Sequence, residues 1–461
     1  MNTRKAAARE RLEQNLESIK GWNPHVNAMM AIDEARARRE AAALDTAAAE
    51  GRWPGLLYGM TVTVKDNIDT AGLTTTSGSL FFKDRVPDRD ATVVTRLRRA
   101  GALVVGKVTL HEFAFGIRSY NPVIGQCRNP YDRARIPGGS SGGSGVAVAT
   151  GMSDGSLGSD TGGSVRLPAS LNGVAGLRPT LGRVSNHGST PVSPSHDTIG
   201  PMARSVADVA RLFAVLAGYD PLDPLSEHEP LENFLPALDD GVAGVRIGLP
   251  RRHFFENLDR DIASAVEQAI AVFEKLGATL SDIDLPGAEL AHHHTTVMIF
   301  CDACHFHRER LQAPATQWGA MTLERLRMGL EFTGRDYAAA QRARESWKRT
   351  LADAFQTVDI LLTPTTPVAT PLIDDAQTLF AVTKQATNNT YAGGLGAIPG
   401  LSIPCGVSRD GMPIGLQLEG AWWREPLLLR AGQAYQRVTD WHHRRPELPP
   451  KAPTKPGRSG P

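Results

Sequence analysis

Cysteine is scarce: the chain has four among its 461 residues, too few for a disulfide framework in a protein of this size. This scarcity excludes a disulfide-stapled secreted scaffold and favours the reducing cytoplasm. Long hydrophobic runs are also missing, so no segment is predicted to span a bilayer. The first twenty residues are charged and helical in pattern and lack the apolar centre of a signal peptide. Together these absences predict a cytoplasmic protein that makes no membrane contact.

An excess of charge of either sign is missing too. Fifty lysines and arginines face 49 aspartates and glutamates, which leaves a formal net charge of +1. A nearly neutral chain has no general attraction for a polyanion, so nucleic acid is not an expected partner. Hydrophobic residues make up 41% of the sequence, enough for a large core. The length fits either several domains or one large α/β sheet.

Strand and helix patterns alternate along the chain, which favours an α/β fold. Met60, Val62 and Val64 alternate with polar residues in a pattern typical of a half-buried strand whose polar face ends at Lys65. Two further strands are predicted around Asp410-Gly411 as a hairpin. We expect one domain over residues 1–445, with a helical N-terminal region at 1–50 and a helical insertion at 280–354. Residues 446–461 are rich in proline and predicted to be disordered.

One segment, RARIPGGSSGGSGVAVATGMSDGSLGSDTGGSVRLP (133–168), is unusually rich in glycine and serine. A flexible linker would waste its interleaved apolar residues, and neither phosphate-binding glycine motif is present. GGSSG and GSSGG match the G-x-S-x-G nucleophile elbow at Ser140 and Ser141, but the preceding residues are polar, whereas the elbow follows an apolar strand. Ser164 follows two glycines whose N–H groups could converge on an oxyanion. The segment therefore favours a nucleophile site.

A serine nucleophile needs a base, because its hydroxyl is weakly nucleophilic at its ordinary pKa. A lysine can serve when it is neutral at the working pH, and burial lowers a lysine pKa in that direction. Lys65, at the end of its predicted strand, is the candidate. Lys107 is interpreted as an ordinary solvated surface charge, Asp160 as an acceptor for backbone donors, and Arg166 as a structural ion-pair partner.

The motifs GGSSGGS and DTGGSVRLPA, with GMTVTVKDNID before them and PGLSIPCGVSRDGMPIGLQLEG after them, resemble the amidase signature family. The resemblance extends over most of residues 25–436. It implies a large mixed, twisted β-sheet covered by helices. It also implies hydrolysis of an amide through a serine acyl-enzyme, with no metal or organic cofactor.

Residue by residue, the resemblance implies a catalytic lysine at Lys65, a bridging serine held by a cis peptide bond at Ser140, and an acyl-forming nucleophile at Ser164. It places the oxyanion near the backbone N–H groups of Thr161, Gly162 and Gly163. In the family the stretch containing Ala114, Phe115 and Gly116 faces the acyl pocket. Three tryptophans are interpreted either as further pocket walls or as core, namely Trp318, Trp422 and Trp423.

The stretch at 292–307 contains Cys301, Cys304 and several histidines, which suggests a metal site. Zinc sites usually close two pairs of ligands around a loop, whereas this stretch has a helical pattern with the cysteines on its apolar face. We therefore expect a structural role for it.

The substrate is much less readable from sequence. A small uncharged aryl or alkyl amide is preferred, and carbamates and esters present a similar carbonyl to the same nucleophile. The first alternative is a glutaminase subunit of a tRNA-dependent amidotransferase, which the family also contains and which would need partner subunits. The second is a Ser-His-Asp esterase with His187 or His196 as the base. A small-molecule substrate is the expected partner, and a homodimer stays open.

Overall fold

The computed structural model describes residues 7–374 and 379–448. Most of the predicted disordered tail, from residue 449 on, lies outside the described residues. Within them, a large sheet forms the centre of the fold. Its strands are β1 (Met29–Ile32), β2 (Thr61–Lys65), β3 (Leu103–Val108), β6 (Gly155–Asp160), β7 (Ala175–Arg178), β8 (Thr198–Ala203), β9 (Arg246–Leu249), β10 (Thr279–Asp282), β11 (Ile360–Pro364), β12 (Gly400–Val407) and β13 (Pro413–Gly420). A separate short hairpin pairs β4 (Tyr120–Asn121) with β5 (Gly125–Gln126).

The 11 strands of the large sheet are arranged in the order β1-β3-β2-β6-β8-β7-β12-β13-β11-β9-β10, with parallel and antiparallel pairs. Strand β2 runs parallel to β3 and β6, and β9 runs parallel to β10 and β11. The pairs between these two groups are antiparallel, including the predicted hairpin of β12 and β13. The predicted α/β fold with a large mixed sheet is confirmed.

Helices flank the sheet. They are α1 (Ala8–Val26), α2 (Glu34–Ala49), α3 (Thr92–Arg99), α4 (Gly142–Ala149), α5 (Arg166–Asn172), α6 (Val206–Leu216), α7 (Arg251–Phe254), α8 (Arg260–Lys275), α9 (Ala288–His307), α10 (Ala320–Gly329), α11 (Gly334–Thr357), α12 (Leu379–Gly396) and α13 (Glu425–Gln436). One apolar cluster joins the strands to α3, α6, α8 and α13, and a second joins β3 to α1, α2 and α4. No helix within the described ranges is long and apolar enough to cross a membrane.

Strand β2 differs from its sequence prediction, because it is buried on both faces and not only on one. Its apolar residues Val62 and Val64 enter the main core. On the other face the hydroxyl of Thr61 donates to Asn15 of α1 at 2.9 Å, and that of Thr63 donates to Ser156 of β6 at 2.9 Å. A central strand with parallel neighbours is covered on both sides, and these hydrogen bonds make the burial of its polar face tolerable.

Candidate active site

The carboxyl ends of β2 and β6 meet at one edge of the sheet, because the two strands are parallel neighbours. Lys65 is the last residue of β2, and Asp160 is the last residue of β6. The loop before α5 follows β6 directly, and the loop before α4 reaches this edge through the contact of Ser140 with Lys65. Residues distant in sequence therefore converge at this edge.

Lys65 and Ser140 are in direct contact. The amine Nζ of Lys65 lies 2.6 Å from Ser140 Oγ, across 75 positions of sequence, and donates to Ser159 Oγ at 2.8 Å. All three residues are buried. The peptide bond between Gly139 and Ser140 is cis. The structure therefore forms the lysine–serine pair that the sequence predicts.

Burial controls the charge of Lys65. It removes the amine from water and lowers the Lys65 pKa to about 7, although the carboxylates of Asp197 and Asp160 act in the opposite direction. An amine with this pKa is neutral in a large fraction of molecules near neutral pH. Such an amine can accept a proton from a neighbouring hydroxyl.

Ser164 lies between β6 and α5 and is half-buried, in contrast to the fully covered Lys65 and Ser140. The N–H of Ser141 donates to the Ser164 carbonyl at 3.3 Å, which connects the two serine loops directly. Ser164 also lines a cavity. It is thus the serine of the set that a substrate can reach.

Asp160 anchors the loop that carries Ser164. Its carboxylate accepts from the backbone N–H groups of Gly163 at 2.6 Å and Val165 at 3.1 Å, and from the guanidinium groups of Arg166 at 3.0 Å and Arg178 at 3.1 Å. Burial alone would raise the Asp160 pKa, but the two arginines and the hydrogen bonds outweigh it and hold this pKa well below its usual range. The predicted structural roles of Asp160 and Arg166 agree with this network.

The backbone donors near Ser164 differ in their availability. The N–H groups of Thr161 and Gly162 border the cavity and have no acceptor within the described part of the chain. The N–H of Gly163 is occupied, since it donates to Asp160. This differs from the expectation that all three N–H groups serve an oxyanion, and the reason is the turn in which Asp160 accepts from the residue three positions later.

The cavity beside Ser164 encloses about 380 Å³ of empty space, part of it open to solvent. The predicted pocket residues Ala114, Phe115 and Gly116 line it, together with the oxyanion loop. Sequence reasoning missed a second set of lining residues, which belong to distant elements: Val192, Ile299, Arg325, Thr383, Thr387 and Tyr391.

Among the described residues that line this cavity, Arg325 is the one with a charged side chain. It is buried and donates to Thr383 Oγ1 at 3.1 Å. Its guanidinium lies 5.8 Å from the ring centroid of Phe115 and 5.9 Å from that of Phe300. The cavity thus has a buried cation beside polar side chains such as Thr383 and Thr387.

The three tryptophans are not walls of this cavity. Trp318 packs with Phe81 and Phe113 in a buried cluster. Trp422 donates to the Gly396 carbonyl at 2.9 Å, and the Trp423 ring stacks beneath the Arg183 guanidinium. Their interpretation as packing residues is therefore correct.

Lys107 is a clear correction to the sequence prediction, because it is fully buried and not at the surface. Its Nζ donates to the Ile68 carbonyl and to Thr75 Oγ1, and lies 3.8 Å from Asp66 Oδ1. Burial lowers the Lys107 pKa to about 8. Its strand, β3, is central and covered on both faces, so even its polar residue points into the protein.

The stretch at 292–307 forms the C-terminal part of helix α9, as predicted. Cys304 is buried and its thiol donates to the Leu326 carbonyl at 2.8 Å. No group of three or more metal-ligating side chains occurs in the part of the chain that the structure describes. The helix also forms part of a cavity wall, because His292 and Phe300 line a second cavity next to that of Ser164.

The histidines required by the esterase hypothesis lie elsewhere. His187 Nδ1 is 3.4 Å from Thr92 Oγ1, and His196 Nδ1 is 3.0 Å from both Ser193 Oγ and Ser195 Oγ. Neither is among the described residues that line the Ser164 cavity. The geometry therefore favours Lys65 as the base over a histidine.

A serine in contact with a buried lysine, near a half-buried serine that lines a cavity, is the arrangement expected of a serine–lysine hydrolase. Comparison with known proteins agrees: residues 10–429 match the amidase family. The chain belongs to this family, the amidase signature enzymes, and is an amidase-family hydrolase. The resemblance seen in the sequence is thereby confirmed.

Individual relatives span almost the whole chain. A glutamyl-tRNA(Gln) amidotransferase subunit of Roseiflexus sp. (strain RS-1) is 39% identical over 94% of this chain and 93% of its own length. Among solved structures, a chain from a vestigial protein complex bearing on the evolutionary origins of an s-triazine catabolic enzyme is 35% identical, with a TM-score of 0.89 over 94% of this chain and 95% of that one. A crystal structure of an amidase is 34% identical, with a TM-score of 0.82 over 94% and 96% of the two chains.

Proposed function

We propose that the chain hydrolyses a carbon–nitrogen amide bond through an acyl-enzyme on Ser164, with Ser140 and Lys65 as the proton relay. The observation that carries this proposal is the 2.6 Å contact between buried Lys65 and Ser140, beside a cavity that Ser164 lines. Membership of the amidase family supports the reaction class.

The reaction follows from this arrangement. Ser164 Oγ attacks the amide carbonyl carbon while its proton passes to Ser140 and the proton of Ser140 passes to neutral Lys65. The N–H groups of Thr161 and Gly162 stabilise the oxyanion. The relay then returns a proton to the leaving nitrogen as the C–N bond breaks, and water hydrolyses the acyl-enzyme to the acid.

As the particular substrate, glutamine has more support than a simple aryl or alkyl amide, which favours a glutaminase role. Relatives that are 36–39% identical are named as subunits of glutamyl-tRNA(Gln) amidotransferases. The Arg325 guanidinium in the cavity is suited to a carboxylate on the substrate, such as that of glutamine. We therefore place glutamine first among the amides to be tested, with aryl and alkyl amides, carbamates and esters after it.

Product release by the purified chain tests both levels of the proposal, measured as ammonia or amine from the amides and the carbamate and as alcohol from the ester. Wild type and Ser164→Ala are compared on glutamine, asparagine, alkyl and aryl amides, a carbamate and an ester. We expect Ser164→Ala to lower turnover at least about 10³-fold while the protein stays folded. Near wild-type turnover in that variant would refute the assignment of Ser164.

The same panel separates the substrate alternatives. Turnover of glutamine well above that of alkyl and aryl amides supports the glutaminase role. Efficient hydrolysis of uncharged amides by the isolated chain, with no response to glutamine, supports a free-standing amidase instead. Either result leaves the Ser164 mechanism intact.

A further inference from the structure

Two cavities meet at the candidate active site. The inner one contains Ser164, and the outer one encloses about 840 Å³ of empty space between helices α9, α10 and α12. Three residues line both, namely Arg325, Thr383 and Tyr391. The outer cavity is therefore directly adjacent to the reacting centre.

Two stacked rings, those of Tyr391 and His292, lie where the two cavities meet. The Tyr391 ring packs against the oxyanion loop so closely that a Cβ at Gly162 would lie 2.5 Å from Tyr391 Cε1. The imidazole of His292 stacks on the Tyr391 ring, with ring centroids 4.4 Å apart and an angle of 10° between the planes. The stack thus extends from the oxyanion loop to the outer cavity, which His292 lines.

Hydrogen bonds fix the orientation of the His292 ring. Its Nε2 lies 3.1 Å from Thr387 Oγ1, and the Thr387 hydroxyl donates its own proton to the Thr383 carbonyl at 2.8 Å. Since that hydroxyl has one proton, His292 Nε2 must donate. Burial lowers the His292 pKa to about 4, so the ring is neutral at physiological pH. The half-buried ring is held on one edge by a hydrogen bond and on one face by Tyr391.

We propose that the His292–Tyr391 stack limits how far the acyl group of the substrate extends from Ser164 into the outer cavity, so that His292 selects short acyl groups over long ones. The proposal rests on the hydrolase function proposed above. It assigns a specificity-determining role to a histidine of the stretch that sequence reasoning treated as structural. Removing the imidazole takes away the ring that supports Tyr391, which lines both cavities, and widens the outer cavity for acyl groups that carry an aryl-alkyl chain.

Two primary amides that share ammonia as leaving group test this role, acetamide and 4-phenylbutyramide. We expect His292→Ala to raise the ratio of kcat/KM for 4-phenylbutyramide over acetamide by about five- to tenfold. His292→Phe keeps a ring in the stack and is expected to stay within about twofold of wild type. His294→Ala, on the same helix but outside both cavity linings among the described residues, is the matched control and is expected to leave the ratio unchanged.

A second readout does not depend on amide turnover. A sulfonyl fluoride reacts when Ser164 Oγ bonds to sulfur and fluoride leaves, with the hydroxyl proton passing to the relay, and intact-protein mass records the adduct. We expect His292→Ala to raise the labelling rate of phenylmethanesulfonyl fluoride relative to methanesulfonyl fluoride by a similar factor. His292→Gln, which keeps an N–H donor for Thr387 but removes the ring, serves in place of the alanine variant if that variant does not fold.

The outcomes separate the two proposals. A shifted labelling ratio with no product released from any amide supports the role of the His292–Tyr391 stack and contradicts the proposed amidase function for the chain on its own. Ser164-dependent amide hydrolysis with an unchanged size ratio in His292→Ala and His292→Gln overturns the role of the stack and leaves the function standing. An equal shift in His294→Ala would also overturn it, because the effect would then not come from the stack.

Discussion

At the scale of single residues, the protonation state of Lys65 decides whether the site can work. Burial holds its pKa near 7, far below that of an exposed lysine. In the proposed mechanism the neutral amine accepts a proton from Ser140, and this form becomes more populated as pH rises. Activity should therefore follow deprotonation of this residue.

We predict that kcat/KM rises with pH on an acid limb with an apparent pKa near 7 and levels off above it. The measurement is kcat/KM for one good amide across the range from mildly acidic to mildly alkaline pH, on protein shown to be folded throughout. Lys65→Arg should be about 10²–10⁴-fold less active at every pH, because a guanidinium stays protonated. A flat profile, or substantial activity in Lys65→Arg, would contradict the role of Lys65 as base.

Individual residues also show which features of the site could be predicted from the sequence. The period-two pattern correctly ends a strand at Lys65, and the glycine-rich segment contains Ser140, which contacts this lysine in the structure. The interpretation of Lys107 was wrong, because it rested on the usual exposure of lysine and not on its strand, which is covered on both faces. It also could not show that Asp160 takes the N–H of Gly163, which depends on the geometry of one turn. Arg325 and Tyr391 were missed because local sequence contains no signal for their contact with a loop so distant along the chain.

At the scale of elements, the junction of β6 with α5 depends on one buried carboxylate. Asp160 ends the strand and pairs with Arg166, the first residue of the helix, and with Arg178 of β7, while Glu419 of β13 lies 3.2 Å from the Arg166 guanidinium. Asp160 and both arginines are fully buried. Breaking such a network leaves uncompensated charge in the interior, which costs far more than losing a surface pair.

We predict that Asp160→Asn lowers the free energy of unfolding by about 3–5 kcal/mol at neutral pH. Because the Asp160 pKa is depressed in the folded state, its contribution is present above the ordinary carboxyl pKa and is lost as pH falls below it. The difference between wild type and variant should therefore shrink in acid. Denaturant unfolding at about pH 7 and about pH 2.5, which lies well below the ordinary carboxyl pKa, measures both values.

Glu267→Gln provides the matched control, since Glu267 pairs with Arg251 at the surface. Half of its side chain is exposed, so its loss should cost less than about 1 kcal/mol. If Asp160→Asn costs no more than Glu267→Gln, the buried network does not stabilise this junction.

At the scale of the whole molecule, the candidate site joins distant parts of one chain. Lys65, Ser140 and Ser164 come from the first half, whereas helix α12 supplies the cavity wall with Thr383, Thr387 and Tyr391. The two parts are connected at the oxyanion loop, where Thr390 Oγ1 donates to the Gly162 carbonyl at 2.7 Å. The nucleophile loop is therefore held by α12 as well as by its own strand.

This contact clamps one peptide unit from both ends. The Gly162 carbonyl accepts from Thr390, and the N–H of the same unit, on Gly163, donates to Asp160 at 2.6 Å. Fixing that plane fixes the direction of the neighbouring Gly162 N–H, a proposed oxyanion donor, and of Ser164. Oxyanion donors contribute mostly in the transition state, so a small reorientation lowers kcat more than it changes KM.

We predict that Thr390→Val, which keeps the side-chain shape but removes the hydroxyl, lowers kcat about tenfold with little change in KM and costs about 1 kcal/mol of stability. Thr390→Ser keeps the donor and should retain most of the wild-type kcat. Steady-state kinetics on one amide, paired with denaturant unfolding of each variant, separate positioning from stability. A Thr390→Val enzyme with wild-type kcat would mean that β6 and Asp160 hold the oxyanion loop without α12, and the second half of the chain would then only enclose the substrate.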